Sequence, residues 1–237
     1  VGYRHIDTAA IYQNEAEVGR AIAASGIPRD ELFITTKLWN SDQEDPNAAM
    51  DASLERLGLD HVDLYLIHWP VPALGTALGA WRGLIDITAS GRSTSIGVSN
   101  FEIPHLQQLI DETGVVPAIN QVELHPHHQR RELRDFCREQ GIAVEAWGPL
   151  AQGKSDLLTL AEVTTAAQAH GKTPAQVVLR WHIQHNIIVF PKTVRRERMI
   201  ENADLFDFEL SAAEMAAIDG LDRQHNFGPD PSTYNQV

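Results

Sequence analysis

Seven short apolar runs in this chain each end at or near a residue that could take part in chemistry. These residues are Asp7, Lys37, His68, Ser99 with Asn100, Gln121, Trp147 and Lys192. Any one of them alone is typical of an ordinary strand end. In a parallel barrel, however, the carboxyl ends of all strands open onto one mouth, where active sites lie. Together the residues therefore predict one pocket with polar, charged and aromatic walls.

Three of these residues and a nearby tyrosine form a set that can protonate an oxygen. Asp7 and Lys37 end successive runs, so we expect them to be neighbours, and Tyr12 follows Asp7 by five residues. A free phenol has a pKa of ~10, and a neighbouring ammonium stabilises the phenolate, which makes a phenol a usable general acid near neutral pH. His68 could orient or polarise a carbonyl oxygen. We predict that these four residues are catalytic.

The chain offers no clear covalent nucleophile and no clear metal site. Ser99 has no histidine adjacent in sequence, and the single cysteine, Cys137, lies in the helical pattern "ELRDFCREQG", which is typical of a core thiol. His125, His127 and His128 lie in "ELHPHHQ", whose spacing does not match common zinc motifs. We therefore predict no metal site.

A nicotinamide cofactor is the natural complement of this proton donor. Protonation of a carbonyl oxygen pairs with hydride delivery to its carbon, and no side chain donates hydride. The nicotinamide ring could lie against Trp147, and its carboxamide could form hydrogen bonds with Ser99, Asn100 and Gln121.

The phosphate end of such a cofactor requires cations and a helix start. The segment "FPKTVRRERMIEN" supplies both in an otherwise acidic protein. Lys192 and Arg198 flank the loop-to-helix junction, where anions bind. We expect Arg195 and Arg196, by contrast, to be solvated.

These residues require a scaffold of alternating strands and helices. The apolar runs cover residues 3–8, 32–37, 62–68, 94–100, 118–124, 142–148 and 186–192. Helical patterns lie between them, and some have recognisable ends: Pro46 begins one that Gly58 ends, and Thr173 is a plausible N-cap for another. Such alternation predicts a parallel sheet covered by helices.

Two architectures are compatible with this alternation of strands and helices: a doubly wound sheet and a barrel. A doubly wound sheet usually carries G-x-G-x-x-G after its first strand, and this chain has no such motif. A (β/α)₈ TIM barrel needs eight strands, and seven are visible. Either one strand escapes detection, or a strand and a helix that precede Val1 are absent. No linker or low-complexity stretch interrupts the chain, so we predict a single domain over residues 1–237.

Composition limits the range of partners. Apolar residues make up 43 % of the chain and charged residues 22 %, which is enough for a sizeable core. The formal charge of −13 argues against general binding to nucleic acid or to anionic membranes. No run of ~18 apolar residues occurs, so we predict no membrane span. A single cysteine fits a cytoplasmic location.

Several motifs in sequence resemble signatures of the aldo-keto reductase family. They are "GYRHIDTAAIYQNE", "ITTKLWN", "LYLIHWP", "IGVSNF", "NQVELHP", "AWGPLAQG" and "PKTVRRERMIEN". The similarity covers nearly the whole chain. It is greatest in style to bacterial members of the 2,5-diketo-gluconate reductase type, which have tryptophan in a similar "AWGPL".

The resemblance implies a function and a role for individual residues. The chain would be an NADPH-dependent oxidoreductase that reduces aldehydes or ketones, with Tyr12 as the acid, Lys37 and Asp7 as its supporting pair, and His68 positioning the carbonyl. The implied contacts of the cofactor, NADPH or NADP⁺, are Ser99, Asn100, Gln121, Trp147, Gly148, Leu150, Lys192, Thr193, Val194, Arg198, Glu201 and Asn202. The substrate would contact Trp39, Trp69, His68 and the tail after His225.

The resemblance also implies what surrounds the chain. The first run would be the second strand of the barrel, and about forty residues would precede Val1 by carry-over from family length. Members of this size are often monomers. The short loop "WPVPALGTALGAW" suggests an open site and broad carbonyl tolerance.

Two other functions are alternatives to an active reductase. One is a nucleotide-binding aldo-keto reductase-like module, or a truncated barrel, with little or no catalysis. The other is an isomerase or aldolase that uses Lys37 to form a Schiff base, which would leave Tyr12 and the 192–202 segment without a purpose.

Overall fold

The structure, a computed structural model, describes residues 1–237 and alternates strands with helices. The strands are β1 (His5–Asp7), β2 (Phe33–Leu38), β3 (Val62–Ile67), β4 (Ser93–Ser99), β5 (Ile119–Glu123), β6 (Ala143–Trp147) and β7 (Ile188–Val189). The helices are α1 (Glu15–Ser25), α2 (Pro46–Leu57), α3 (Ala77–Ala89), α4 (Ile103–Thr113), α5 (Arg131–Gln140), α6 (Ala161–His170), α7 (Pro174–Gln184), α8 (Arg196–Ala203) and α9 (Ala212–Asp219).

The seven strands form one sheet in chain order, from β1 to β7. Strands β1 to β4 pair in parallel with one another in turn, as between Asp7 of β1 and Thr35 of β2, and β6 pairs in parallel with β7. A doubly wound sheet reverses its strand order at a switch point, and this sheet does not. The predicted α/β fold with a parallel sheet is therefore confirmed, and the doubly wound alternative is excluded.

Local sequence explains where the helices begin. Asp45 accepts a hydrogen bond from the backbone N–H of Ala48 at the start of α2, and Gly58 ends that helix in the left-handed conformation. Thr173 caps α7 as predicted: its hydroxyl accepts from the N–H of Gln176, whose side chain in turn accepts from the N–H of Thr173.

The chain divides into two compact units. The N-terminal unit comprises Tyr3–Asn120 with Gln140–Ile142 and Asp230–Val237, and the C-terminal unit comprises Gln121–Glu139 and Ala143–Pro229 with Val1–Gly2. The expectation of a single domain remains a prediction.

No helix combines the length and apolar character needed to cross a bilayer.

In the N-terminal unit the core lies on both faces of the sheet. Leu64, Tyr65 and Leu66 are consecutive in β3 and all fully buried, as expected for a parallel strand covered on both sides. Gly97 of β4 lies so close to its neighbours that an added Cβ would meet the carbonyl oxygen of Ile119 at 2.6 Å. Only glycine fits there without movement of the backbone.

The last predicted strand is much shorter than its apolar run. The run covers residues 186–192, whereas β7 contains only Ile188 and Val189, which pair with Glu145 and Ala146. Pro191 cannot donate to a strand ladder, so pairing does not extend past it. The prediction that Lys192 ends a strand is therefore wrong; it lies in the loop before α8.

Candidate active site

A buried ion pair lies at the carboxyl ends of β1 and β2. The Lys37 side chain is fully buried, and its Nζ donates to Asp7 Oδ1 at 2.5 Å and to the Thr8 carbonyl oxygen at 2.9 Å. Asp7 faces Thr35 in the ladder, and Lys37 lies two residues further along the same strand face. A buried charge requires such partners. The ammonium is committed to two acceptors, which does not suit the Schiff-base alternative.

Tyr12 lies beside this pair. It ends a short 3₁₀ helix, Ala10–Tyr12, that turns the chain just after β1. Lys37 Nζ is 5.3 Å from the centroid of the Tyr12 ring, and the residue is 50 % exposed. The phenol is therefore next to a cation and open to solvent, which is what a proton donor to a bound substrate requires.

His68 completes the group. It follows β3 directly, and its ring meets the Tyr12 ring edge to face, with centroids 5.8 Å apart. Its backbone is held by the Leu38 carbonyl oxygen, to which its N–H donates, and by Asn100 Nδ2, which donates to the His68 carbonyl oxygen. The structure thus brings together all four predicted catalytic residues, Asp7, Tyr12, Lys37 and His68, here called the catalytic group.

The His68 imidazole is neutral at physiological pH. Burial, with a smaller contribution from the Lys37 ammonium, lowers the pKa of His68 to about 3. Nδ1 is buried and has no hydrogen-bond partner. A neutral imidazole can donate an N–H to a carbonyl oxygen but cannot act as the acid near pH 7. Tyr12 is therefore the candidate proton donor of the group.

We expect the His68→Gln variant to be less acid-sensitive in its stability than the native chain. The folded state holds His68 neutral, whereas the unfolded chain protonates it below pH ~6.5. The native chain should therefore lose about 2 kcal/mol of unfolding free energy, relative to the variant, between pH 8 and pH 5. Urea unfolding of both proteins at the two pH values measures this. Equal pH dependence would contradict the neutral assignment.

The predicted substrate residues fall into two places in the N-terminal unit. Trp39 meets the His68 ring edge to face at 5.3 Å, beside the catalytic group. Trp69 is buried and lies against the Tyr234 ring at 4.3 Å. A second contact holds residues 230–237 near Trp69: the Ala73 N–H donates a hydrogen bond to Asn235 Oδ1 at 2.9 Å. Tyr234 belongs to the tail after His225 that the sequence analysis assigned to the substrate pocket, although the sequence did not single out this residue.

Ser99 and Asn100 end β4 and are both buried. Asn100 has a left-handed backbone, with φ of 64°, which turns its side chain back toward the strand end. Its Nδ2 donates to Ser99 Oγ and to the His68 carbonyl oxygen, both at 3.0 Å. The two residues are therefore directly linked to the catalytic group.

In the C-terminal unit, the Gln121 side chain forms a hydrogen bond with the buried carboxylate of Glu145. Its Nε2 donates to Glu145 Oε2 at 2.9 Å, and both side chains are buried. Gln121 lies within β5, whereas the sequence pattern had placed it at the end of the strand. Glu145 was missed by sequence reasoning, although an acidic residue inside the apolar run "IAVEAWG", two positions before Trp147, is a usable signal.

Trp147 ends β6 and is followed by a tight turn. Gly148 has φ of 62°, and its carbonyl oxygen accepts a hydrogen bond from the Ala151 N–H at 2.8 Å. Leu150 is the N-cap residue of the short 3₁₀ helix that follows, Ala151–Gly153. Gly228 lies against the Trp147 ring: an added Cβ would meet Cη2 of the indole at 2.4 Å.

The predicted phosphate segment forms the loop before α8 and the helix itself. Arg195, the residue that caps α8, donates its N–H to Thr193 Oγ1 at 3.1 Å, and Val194 is 89 % exposed. Lys192 and Arg198 are both exposed. Further along the helix, Glu201 Oε1 accepts from Thr173 Oγ1 and Asn202 is buried.

The histidines of "ELHPHHQ" do not assemble a cation site. No group of three or more His, Cys, Asp or Glu residues is arranged to hold a metal ion. Instead, His125 is fully buried and pairs through Nε2 with Glu123 Oε1 at 3.2 Å.

Known proteins match this chain closely. The model of the aldo/keto reductase family matches residues 1–223. An aldo-keto reductase of Mycolicibacterium smegmatis is 55 % identical, over 99 % of this chain and 85 % of that protein. The methylglyoxal reductase DkgA of Yersinia pestis is 52 % identical, over 99 % and 84 %. The crystal structure of a Gox0644 mutant in complex with NADPH is 45 % identical and superimposes with a TM-score of 0.93, over 98 % of this chain and 85 % of that one.

The matches in sequence and in fold agree with one another and with the motifs noted above. The α/β fold is that of solved aldo-keto reductases, one from a deep-sea metagenome library with a TM-score of 0.95 and one from Bombyx mori with a TM-score of 0.88. The resemblance predicted from the motifs is therefore confirmed. The chain belongs to the aldo/keto reductase family of NADP-dependent oxidoreductases.

Proposed function

We propose that this chain reduces small aldehydes and ketones to alcohols with NADPH, and that Tyr12 supplies the proton. The observation that carries the proposal is the assembly of an exposed phenol over a buried Lys37–Asp7 pair, next to a neutral His68. NADPH, when bound, supplies the hydride that the carbonyl carbon receives.

The roles of the four residues follow from their geometry. The Tyr12 hydroxyl donates its proton to the substrate oxygen as negative charge develops there, and the phenolate that remains is stabilised by the Lys37 ammonium. Asp7 holds that ammonium in place. His68, being neutral, donates an N–H to the same substrate oxygen and fixes its position. These assignments agree with the family resemblance.

The residues proposed to hold NADPH suit its two ends. Amide and hydroxyl groups at Ser99, Asn100 and Gln121 complement the carboxamide, and the Trp147 indole can stack on the ring. The exposed Lys192 and Arg198 beside a helix start suit a 2′-phosphate, which favours NADPH over NADH. Gly148, Leu150, Thr193, Val194, Glu201 and Asn202 complete the proposed contacts.

The substrate and the setting are part of the same proposal. Relatives named methylglyoxal reductase support 2-oxoaldehydes as one substrate class, with Trp39, Trp69 and His68 lining the pocket. We further propose that the sheet belongs to a (β/α)₈ barrel, that the chain is one domain and a monomer, and that it acts in the cytoplasm of a bacterium. The relatives from Mycolicibacterium smegmatis and Yersinia pestis are bacterial proteins, which supports the last point.

Turnover of NADPH with methylglyoxal tests the proposal. The purified chain should consume NADPH in proportion to the aldehyde added, and NADH should react more slowly. Tight NADPH binding without turnover of methylglyoxal or other reactive aldehydes and ketones would instead favour the non-catalytic nucleotide-binding module. Absence of both binding and turnover would refute the proposal.

A further inference from the structure

One buried carboxylate in the C-terminal unit binds a distant segment of the chain. Glu123, at the end of β5, is 3 % exposed. Its Oε1 accepts the backbone N–H of Phe227 at 2.8 Å, and its Oε2 accepts that of Gly228 at 2.9 Å. Asn226 Nδ2 donates to the Gly228 carbonyl oxygen and closes the turn. Both carboxylate oxygens thus hold the backbone of residues 226–228, here called the Glu123-bound turn.

The Glu123 carboxylate is ionised at neutral pH. Burial raises the pKa of Glu123, but the hydrogen bonds from His125 Nε2 and the two backbone amides outweigh burial and hold the pKa below its usual value. Hydrogen bonds from N–H groups to an ionised carboxylate are about twice as strong as neutral ones. The Glu123-bound turn is therefore held in place by two strong hydrogen bonds to its backbone.

The Glu123-bound turn touches the residue proposed to stack on the nicotinamide. At Gly228 an added Cβ would meet the Trp147 indole at 2.4 Å and Glu123 Oε2 at 2.9 Å. Gly228 is thus packed against both the indole ring and the carboxylate. Any movement of Gly228 away from Glu123 changes what the indole packs against.

We propose that Glu123 is a positioning residue for the reaction: it holds Gly228 against the Trp147 indole and so sets the orientation of that ring toward the nicotinamide. The proposal rests on the proposed function for its consequence in catalysis. The positioning of Trp147 is a property of the chain alone and can be measured without the cofactor.

Two variants break the arrangement from opposite sides. Glu123→Gln keeps the shape but presents an NH₂ group to one of the two backbone N–H groups, which cannot form a hydrogen bond with it. Gly228→Ala adds a methyl group where there is no space, so the ring or the turn must move. Glu132→Gln, exposed on α5, and Gly79→Ala, with no atom within 4 Å of the added carbon, are the matched controls.

Fluorine NMR of 5-fluorotryptophan-labelled protein tests the positioning directly. The chain has five tryptophans, and the Trp147→Phe variant assigns the Trp147 signal. This signal should shift or broaden in both Glu123→Gln and Gly228→Ala, and stay unchanged in both controls. An unchanged Trp147 signal in the two variants would overturn the proposal, whether or not the protein binds NADPH.

Kinetics test the consequence for the reaction. We expect Glu123→Gln and Gly228→Ala to weaken NADPH binding and lower kcat by about 10- to 100-fold, as small misplacements do, while the KM for the aldehyde changes little. In a Trp147→Ala background, Glu123→Gln should have no further effect on NADPH affinity, because the two residues act through one contact. A full additional loss would assign Glu123 a merely structural role. Failure of the wild-type chain to bind NADPH would instead refute the proposed function.

Discussion

Replacement of Tyr12 by phenylalanine should lower kcat for carbonyl reduction by about 10²- to 10⁴-fold, the range that general acid catalysis contributes. The phenol is the only exposed proton donor of the catalytic group, since the fully buried Lys37 is held in an ion pair with Asp7 and His68 is neutral. The affinity for NADPH should change little, because the proposed contacts of the cofactor lie elsewhere. Steady-state kinetics and a direct binding titration measure the two quantities.

The chain contains its own control for this substitution. Tyr3 is 42 % exposed, similar to the 50 % of Tyr12, but it lies before β1 and outside the catalytic group. Tyr3→Phe should leave kcat unchanged. Both variants should unfold at nearly the native denaturant concentration, since exposed substitutions change stability by about 0.5 kcal/mol or less. If Tyr12→Phe and Tyr3→Phe were equally active, Tyr12 would not be the acid.

Replacement of Lys37 by methionine should impair stability and catalysis together. The side chain is fully buried, and the Asp7 carboxylate beside it is 9 % exposed, so the variant keeps a buried negative charge but loses the ammonium that faces it. Breaking a buried pair in this way costs about 3–5 kcal/mol. The same change removes the cation that stabilises the Tyr12 phenolate, so kcat should also fall steeply. Urea unfolding and kinetics on one preparation measure both effects.

A double variant separates the two effects. Adding Asp7→Asn to Lys37→Met removes both charges, which should restore much of the stability, because the buried charge is gone. Activity should not return, because the phenolate still has no cation beside it. Lys154→Met, at an exposed lysine, should behave like the native chain. Recovery of activity in the double variant would show that Lys37 serves the fold rather than the chemistry.

The sequence predicted the parts of the fold that depend on local pattern. Apolar runs located all seven strands, and turn and capping residues located helix starts such as Thr173. Where the pattern misled, a local reason was available: Pro191, which cannot donate to a strand ladder, lies two residues past the end of β7. The fold class needed little beyond this, because strand–helix alternation leaves few arrangements for a parallel sheet.

The four residues of the proposed catalytic group could also be predicted from the sequence. Asp7, Lys37 and His68 lie at or just past the carboxyl ends of three successive strands. Parallel pairing in chain order brings such positions together without any further information. The tyrosine was reachable because the turn that carries it follows β1 directly.

Only the tertiary structure decided which groups support the site from a distance. Glu123 holds Gly228, which is 105 residues further along the chain, and Tyr234 lies against Trp69. No local period links such positions, since they meet only after the chain has packed. The same packing sets the desolvation that keeps His68 neutral. The sequence by itself thus determined the α/β fold class and the proposed reacting groups, whereas packing between remote segments determined their protonation and their orientation.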